Sequence, residues 1–267
     1  MNKEYIMNLL KNTESCIHWI LRIASGLCFI GHGAFGIITK AGWLPYFAVV
    51  DIGPDTAYTL MPLIGIMDIT IGISLLVFPT RIILLFMVVW AAWTAVLRPL
   101  AGQGIWEFVE RAGNYGISLA FLIWAGLPKQ AGDWIRRIRI KPVSQQDRKK
   151  LILILRITTA LLLIGHGGFG AVQNKPMLMD HFAAIGLPFC GMDPTVFLRL
   201  VGIFEIVLGV VVLFIKFPPI LLVILIWKLF TELLYPISGT PVWEFVERAG
   251  SYGAPLALWI LYRTERN

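Results

Sequence analysis

Charge is scarce in this chain, and cysteine is scarcer. Charged residues make up 15% of its 267 residues, whereas hydrophobic residues make up 57% and the mean hydropathy is +0.75. A soluble domain carries about 25% charged residues, so this balance excludes a disordered protein and an ordinary soluble enzyme. The three cysteines, Cys16, Cys28 and Cys190, are too widely spaced for a disulfide framework or a zinc motif. The composition predicts an all-α membrane protein that crosses the bilayer several times.

No cleavable signal peptide is predicted, because no apolar stretch or small-residue cleavage site precedes Ser15. The net charge of +7 is concentrated rather than spread over a domain. Eight basic residues fall in the stretch 127–150: Lys129, Arg136, Arg137, Arg139, Lys141, Arg148, Lys149 and Lys150. A short basic segment without a basic domain argues against nucleic acid as a partner.

The chain contains an internal duplication. IGHGAFG at 30–36 recurs as IGHGGFG at 164–170, and WEFVERAGNYG at 106–116 recurs as WEFVERAGSYG at 243–253. Between them, G-x-x-D-x-x-x-G at 65–72 matches G-x-x-E-x-x-x-G at 202–209. Two copies of a unit of about 130 residues are therefore predicted. Their bounds are 1–126 and 151–267, and a basic linker at 127–150 joins them.

Apolar runs predict four membrane spans in each copy. Each run is close to the roughly 20 residues that a helix needs to cross the hydrocarbon core. The predicted spans are 16–39, 58–78, 82–98, 105–126, 151–172, 195–215, 217–235 and 242–262. Because four is an even number, the two four-helix repeats should lie parallel, related by an axis along the membrane normal.

Basic residues give the predicted topology its direction. The linker, Arg81, Lys216 and Arg263 fall on one side of the eight-span map, and the opposite loops hold few basic residues. The positive-inside rule then places both termini in the cytoplasm of a multi-pass protein of the cell (cytoplasmic or inner) membrane. The linker also carries apolar residues beside its arginines: Trp134, Ile135, Ile138 and Ile140. This mixture predicts a short interfacial helix on the anionic leaflet.

Several predicted spans contain ionisable residues, which are costly in a bilayer and mark structural pairs or functional sites. Arg22 is expected near the depth of Asp68, and Arg156 near that of Glu205, which predicts one buried ion pair in each copy. A proton or ion relay is the alternative interpretation. His32 and His166 follow the two arginines by ten residues, or about 15 Å of helix.

The WEFVERAG segment is the most specific feature of the sequence. On a continuous helix, Glu107 would pair with Arg111 four residues later, and Glu110 would lie beside them. The second copy repeats this pattern with Glu244, Glu247 and Arg248. The topology places His32 and His166 at the same level as these residues. It therefore predicts two equivalent His/Glu/Glu/Arg clusters that face the outer side. They are interpreted either as a structural network or as a functional site.

The two copies differ in their third spans. Lys228 and Glu232 replace Ala91 and Ala95, and Tyr235 replaces Arg98. The Lys228–Glu232 spacing suits a local ion pair. A single asymmetric site in one half is the alternative interpretation.

Gly31 to Gly36 fits the dinucleotide-binding pattern G-x-G-x-x-G by letters alone. That motif requires a preceding strand and a βαβ unit, whereas this segment ends a predicted membrane helix. The glycines are instead expected to allow close helix packing. A pair of haem ligands is an alternative role for the two equivalent histidines, His32 and His166. No metal site is predicted.

The first copy resembles the DoxX/DoxD-like membrane proteins in three features. These are Arg22 early in the first helix, the F-x-x-HG motif formed by Phe29 to Gly33, and the acidic residue between glycines in the second helix. The second copy matches with Leu163 in place of Phe29, and the lysine usually found after HG is shifted to Lys40. The chain is thus similar to a tandem DoxX-like protein. Among proteins of this kind, some are small subunits of a thiosulfate:quinone oxidoreductase. Others assist enzyme maturation, associate with redox-defence enzymes, or act as cargo receptors and assembly chaperones.

The resemblance implies an accessory or quinone-linked redox component rather than an autonomous enzyme. Its cofactor would be quinone or haem, and its partners the lipid bilayer and another membrane protein or redox enzyme. Two alternatives stay open, namely a non-catalytic membrane assembly partner and a small-solute transporter or binding protein. Since fold does not determine function, the site must decide between them.

Overall fold

The structure, a computed structural model, describes residues 3–186 and 191–264, so Cys190 lies outside the described residues. Within these ranges the chain forms helices and no strand, with one isolated β-bridge. The helices are α1 (Lys3–Ile37), α2 (Leu44–Ala48), α3 (Pro54–Val77), α4 (Arg81–Leu100), α5 (Ile105–Glu110), α6 (Ala112–Ala125), α7 (Gln145–Ala171), α8 (Pro176–Ala184), α9 (Pro194–Phe214), α10 (Pro218–Ile237), α11 (Trp243–Glu247) and α12 (Ala249–Thr264).

Six of these helices are long and apolar enough to cross a membrane: α1 from Thr13 onward, α3, α4, α7, α9 and α10. The prediction of an all-α membrane protein is confirmed at this level. The predicted spans 105–126 and 242–262 are each divided into two helices, α5–α6 and α11–α12. Both breaks fall on the arginine of WEFVERAG, where Arg111 has φ −68° and ψ 1° and Arg248 has φ −88° and ψ 18°. A ψ near zero lies outside the helical region and turns the chain.

Close glycine contacts fix the packing of α1 on α3. A Cβ added at Gly33 would lie 2.6 Å from the carbonyl oxygen of Gly65, and one at Gly36 would lie 2.6 Å from that of Met61. In the second half, a Cβ at Gly167 would lie 2.5 Å from the carbonyl oxygen of Gly202. The prediction that the glycines of the IGHG segment serve close packing is confirmed, because their backbones touch without side chains between them.

The two halves interlock through the broken helices. α11 packs against α1, and α5 packs against α7. A Cβ added at Gly31 would overlap the backbone of Glu247, and one at Gly165 would overlap that of Glu110. Each WEFVERAG segment therefore lies against the first helix of the opposite half.

Many side chains on the outer surface of the bundle are large and apolar. On α3, α4 and α10, Leu63, Val89 and Ile226 are 59%, 61% and 67% exposed. Exposed aliphatic side chains on helices of this length are typical of a protein surrounded by lipid.

The predicted interfacial helix of the linker is wrong. Only Ala131–Trp134 form a short 3-10 turn, and residues 135–144 run without helix until α7 begins at Gln145. The backbone N–H of Ile138 donates to the carbonyl of Pro79 at 2.7 Å, and Arg137 bridges to Thr80. These contacts with the α3–α4 turn hold the segment extended.

Candidate functional site

Each IGHG histidine forms a hydrogen bond with the acidic residue of the next long helix. In the first half, Nδ1 of His32 on α1 lies 2.7 Å from Oδ2 of Asp68 on α3. In the second half, Nδ1 of His166 lies 2.6 Å from Oε2 of Glu205. The glycine contacts between the paired helices bring these groups together. A carboxylate at Nδ1 fixes the orientation of the imidazole and leaves Nε2 to act on a neighbouring group.

The two dyads differ in the second carboxylate oxygen. Oε1 of Glu205 accepts a hydrogen bond from the indole N–H of Trp227 at 2.8 Å. Trp90 is the counterpart of Trp227, but Asp68 is one methylene shorter than glutamate. Within the part of the chain that the structure describes, neither the Trp90 indole N–H nor Oδ1 of Asp68 has a hydrogen-bond partner, and both are buried. The first half thus holds an unpaired donor and an unpaired acceptor, which is uncommon in folded proteins.

A cavity of about 220 Å³ lies beside His32. The imidazole stacks on Trp43 with a centroid distance of 4.7 Å. At the polar end, Arg98 donates to the hydroxyl of Tyr46 at 3.1 Å. The lining is mostly aromatic and aliphatic: His32, Trp43, Tyr46, Phe47, Val50, Ile52, Leu60, Ile64, Trp90, Trp93, Thr94, Leu97 and Arg98. Apolar walls with a few convergent polar groups are typical of a small-molecule site.

A second, smaller cavity of about 20 Å³ shares His32, Trp90 and Thr94 with this lining and reaches Cys28 and Asn114.

The corresponding positions in the second half are packed against each other. His181 and Tyr235 replace Tyr46 and Arg98, and their rings lie 4.4 Å apart with each residue 2% exposed. Burial, together with smaller contributions from His166 and Arg248, lowers the pKa of His181 to about 4. His181 is therefore neutral at physiological pH. This asymmetry favours the first half as the open site.

The WEFVERAG charges form one buried network instead of two separate clusters, so the prediction of two clusters is wrong. Arg111 lies 2.5 Å from Glu247 of the other half and 3.3 Å from Glu110. Arg248 lies 2.5 Å from Glu244 and 3.7 Å from Glu110. The network crosses between the halves because each segment packs on the first helix of the opposite half.

The predicted Glu107–Arg111 pair is also wrong, because Arg111 contacts Glu247 and Glu110 instead. The equivalent predicted pair of the second copy, Glu244–Arg248, forms at 2.5 Å. Glu107 contacts Arg98 at 3.5 Å and also Lys175 of the second half. The equivalent carboxylate, Glu244, contacts Lys40 at 2.5 Å. Each of these lysines follows an IGHG segment and reaches into the opposite half.

Lys228 and Glu232 form the expected i,i+4 ion pair at 2.8 Å. Glu232 also lies 3.1 Å from Arg248, and Lys228 lies 3.9 Å from Glu205. The pair therefore joins the second dyad to the central network. Alanines take these positions in the first half, and the lining of the small cavity includes one of them, Ala91.

The predicted ion pairs Arg22–Asp68 and Arg156–Glu205 are wrong. Arg22 donates to the carbonyls of Leu75 at 3.1 Å and of Leu76, and Arg156 donates to those of Val212 at 3.2 Å and Leu213 at 2.6 Å. These carbonyls end α3 and α9, where the last turn lacks intrahelical partners and carries negative dipole charge. The two arginines are C-terminal caps and lie away from the dyads, since α1 and α3 run antiparallel.

Sequence patterns alone missed Trp43, Tyr46 and Trp90 as cavity residues. Trp43 lies in a 3-10 turn just before α2, Tyr46 lies on α2 and Trp90 on α4, so tertiary packing brings Trp90 to the other two. The one sequence feature that pointed to this cavity was the replacement of Arg98 by Tyr235, because it showed that the two copies differ at this position. Among the residues that the structure describes, no group of three His, Cys, Asp or Glu side chains could hold a metal ion.

No protein-family model matches the chain, and comparison with curated proteins and with solved structures finds no match either. The similarity to DoxX-like proteins therefore stays a prediction, and functional inference depends on the site.

Proposed function

We propose that the chain is an eight-span membrane protein whose first half binds a quinone-type ring beside the His32–Asp68 dyad. The α5–α6 and α11–α12 pairs supply the fourth and eighth crossings in this scheme, since each covers roughly the length of a span. The internal duplication and the basic linker support an arrangement of two parallel four-helix repeats with both termini in the cytoplasm.

The unpaired polar atoms carry the ligand proposal. A flat ring that bears carbonyl oxygens can accept from the Trp90 indole N–H and can exchange a proton with Nε2 of His32. Trp43 and Trp93 provide stacking faces, and the remaining wall is apolar. The cavity volume of about 220 Å³ is below the roughly 300–1,000 Å³ of sites for drug-sized ligands. One or two fused rings fit this space better than a haem macrocycle, so we propose quinone and not haem.

The chain's own residues hold and move a proton. Asp68 accepts from Nδ1 of His32, which orients the imidazole. Nε2 is then positioned to receive a proton from the ring oxygen or to donate one. A quinone takes up two electrons and two protons when it becomes a quinol, and we assign the electrons to a redox protein bound at the membrane. The role that fits is an accessory subunit.

Trp90→Phe is expected to weaken binding of a soluble quinone analogue about tenfold, because a buried hydrogen bond of about 1–1.5 kcal/mol is lost. Trp227→Phe is the matched control, since that indole is bound to Glu205 and lies away from the cavity. The measurement is a titration of the purified protein in detergent, followed by tryptophan fluorescence. Equal losses in the two variants, or none in either, would contradict the assignment.

Asp68→Glu should let the carboxylate reach the Trp90 indole, as Glu205 reaches Trp227. The variant should therefore bind quinone more weakly without unfolding.

Mass spectrometry of the organic extract of the purified protein should find quinone at near-stoichiometric amounts. An extract of phospholipid alone, with no analogue binding, would favour the assembly-partner alternative.

A further inference from the structure

A separate cavity lies at the opposite end of the first half, where the linker leaves α6. Its cavity of about 530 Å³ is lined by Arg81, Leu127, Pro128, Lys129, Asp133, Arg136, Arg137, Arg139 and Lys141. Six of these residues are basic and one is acidic. We propose that this basic groove binds the phosphate of an anionic phospholipid.

The groove is held in shape by Arg81. Its guanidinium donates to the backbone carbonyls of Gly126 at 2.6 Å, Ala125 at 2.7 Å and Asp133 at 3.2 Å. These bonds tie the start of α4 to the end of α6 and to the linker turn. The linker is fixed again by the bond from the Ile138 N–H to Pro79 and by the burial of the Ile138 side chain. A charged surface anchored at so many backbone points is preorganised, which lowers the entropic cost of binding.

The remaining cations of the groove are available. Asp133, the only acidic residue of the lining, is paired with Arg136 at 3.0 Å. Lys129, Arg139 and Lys141 form no ion pair within residues 3–186 and 191–264. Several unpaired cations around one cavity repel each other and create a site for a polyoxygen anion.

Apolar side chains beside the groove identify the source of the phosphate. Leu127 lines the cavity and is 66% exposed. Phe78, at the end of α3, is 49% exposed and lies 5.8 Å from the Arg137 guanidinium. A basic cavity that opens onto exposed apolar residues at the helix ends matches a molecule with an anionic head and acyl chains. A free phosphate would gain nothing from these apolar contacts.

The test uses two double variants of equal charge. Arg139→Gln with Lys141→Gln removes two cations from the groove. Lys149→Gln with Lys150→Gln removes two exposed cations from the first turns of α7, outside the groove. Native mass spectrometry of detergent-purified protein would measure the binding of phosphatidylglycerol and of phosphatidylcholine. Soluble glycerol phosphate would be added as a competitor.

Phosphatidylglycerol is expected to bind in preference to phosphatidylcholine. The groove variant should lose about 30-fold in affinity, since each basic residue near the surface contributes about one kcal/mol. The α7 variant should change little. Equal losses in both variants would overturn a discrete site, and displacement by equimolar glycerol phosphate would overturn the lipid as its ligand. The quinone titration is independent, so the two proposals can fail separately.

Discussion

Replacing Arg111 by Met is expected to lower the free energy of unfolding by about 3–5 kcal/mol. The guanidinium is buried and lies 2.5 Å from Glu247 and 3.3 Å from Glu110. Its removal leaves buried carboxylates without a compensating charge, and such a charge is far more costly than a missing contact. The measurement is thermal unfolding of the purified variant in detergent.

The double variant Arg111→Met with Glu247→Gln should recover most of the loss, because the uncompensated carboxylate is then removed as well. Arg136→Met is the control. Arg136 pairs with Asp133 at 3.0 Å with a side chain that is 72% exposed. An exposed pair of this kind contributes at most about 1 kcal/mol. If Arg111→Met were as mild as Arg136→Met, the buried network between the halves would not exist in the folded protein.

Gly31→Leu is expected to prevent the two halves from closing on each other, at a cost above about 3 kcal/mol. A Cβ at this position overlaps the backbone of Glu247, which is helical and has no flexible end that could move aside. The expected result is loss of monodisperse protein on size-exclusion chromatography and rapid proteolysis of the linker.

Gly53→Leu provides the control for a larger side chain. Gly53 has φ −70° and ψ 164°, which any residue adopts, and a Cβ there meets open space. This variant should purify as the parent protein does. A well-folded Gly31→Leu protein would mean that α11 does not pack on α1.

The helical architecture was accessible from the sequence because it depends on local patterns. Apolar runs of span length predicted the long helices, and the repeated glycines predicted close helix packing. The i,i+4 spacing of Lys228 and Glu232 also predicted their ion pair. Each of these inferences needs only the geometry of one helix or of one helix pair.

The pairing between helices was not accessible, because it depends on register and on which half contacts which. Arg22 was assigned to Asp68 by estimated depth, but the antiparallel register of α1 and α3 brings His32 to Asp68. The WEFVERAG clusters were assigned to their own halves, whereas Arg111 contacts Glu247 across them. A duplicated sequence cannot show whether equivalent segments exchange partners, because both arrangements satisfy the same pattern.

The unpaired polar atoms near His32 depend on a still finer difference. The methylene that separates Asp68 from Glu205 leaves the Trp90 indole N–H and Oδ1 of Asp68 without partners. Both sequence motifs contain an acidic residue at this position, so motif comparison treats them as equivalent. Only the three-dimensional arrangement shows that both carboxylate oxygens of Glu205 are hydrogen-bonded, whereas one carboxylate oxygen of Asp68 is not.

The most direct test of a quinone site in the first half is photolabelling with a photoreactive quinone analogue, followed by peptide mapping. The label is expected to attach to α1 near His32, to the turn that contains Trp43, and to α4 near Trp90. Excess unlabelled quinone should prevent this labelling. Equal labelling of α7 and α10, or labelling that excess quinone does not reduce, would contradict the account.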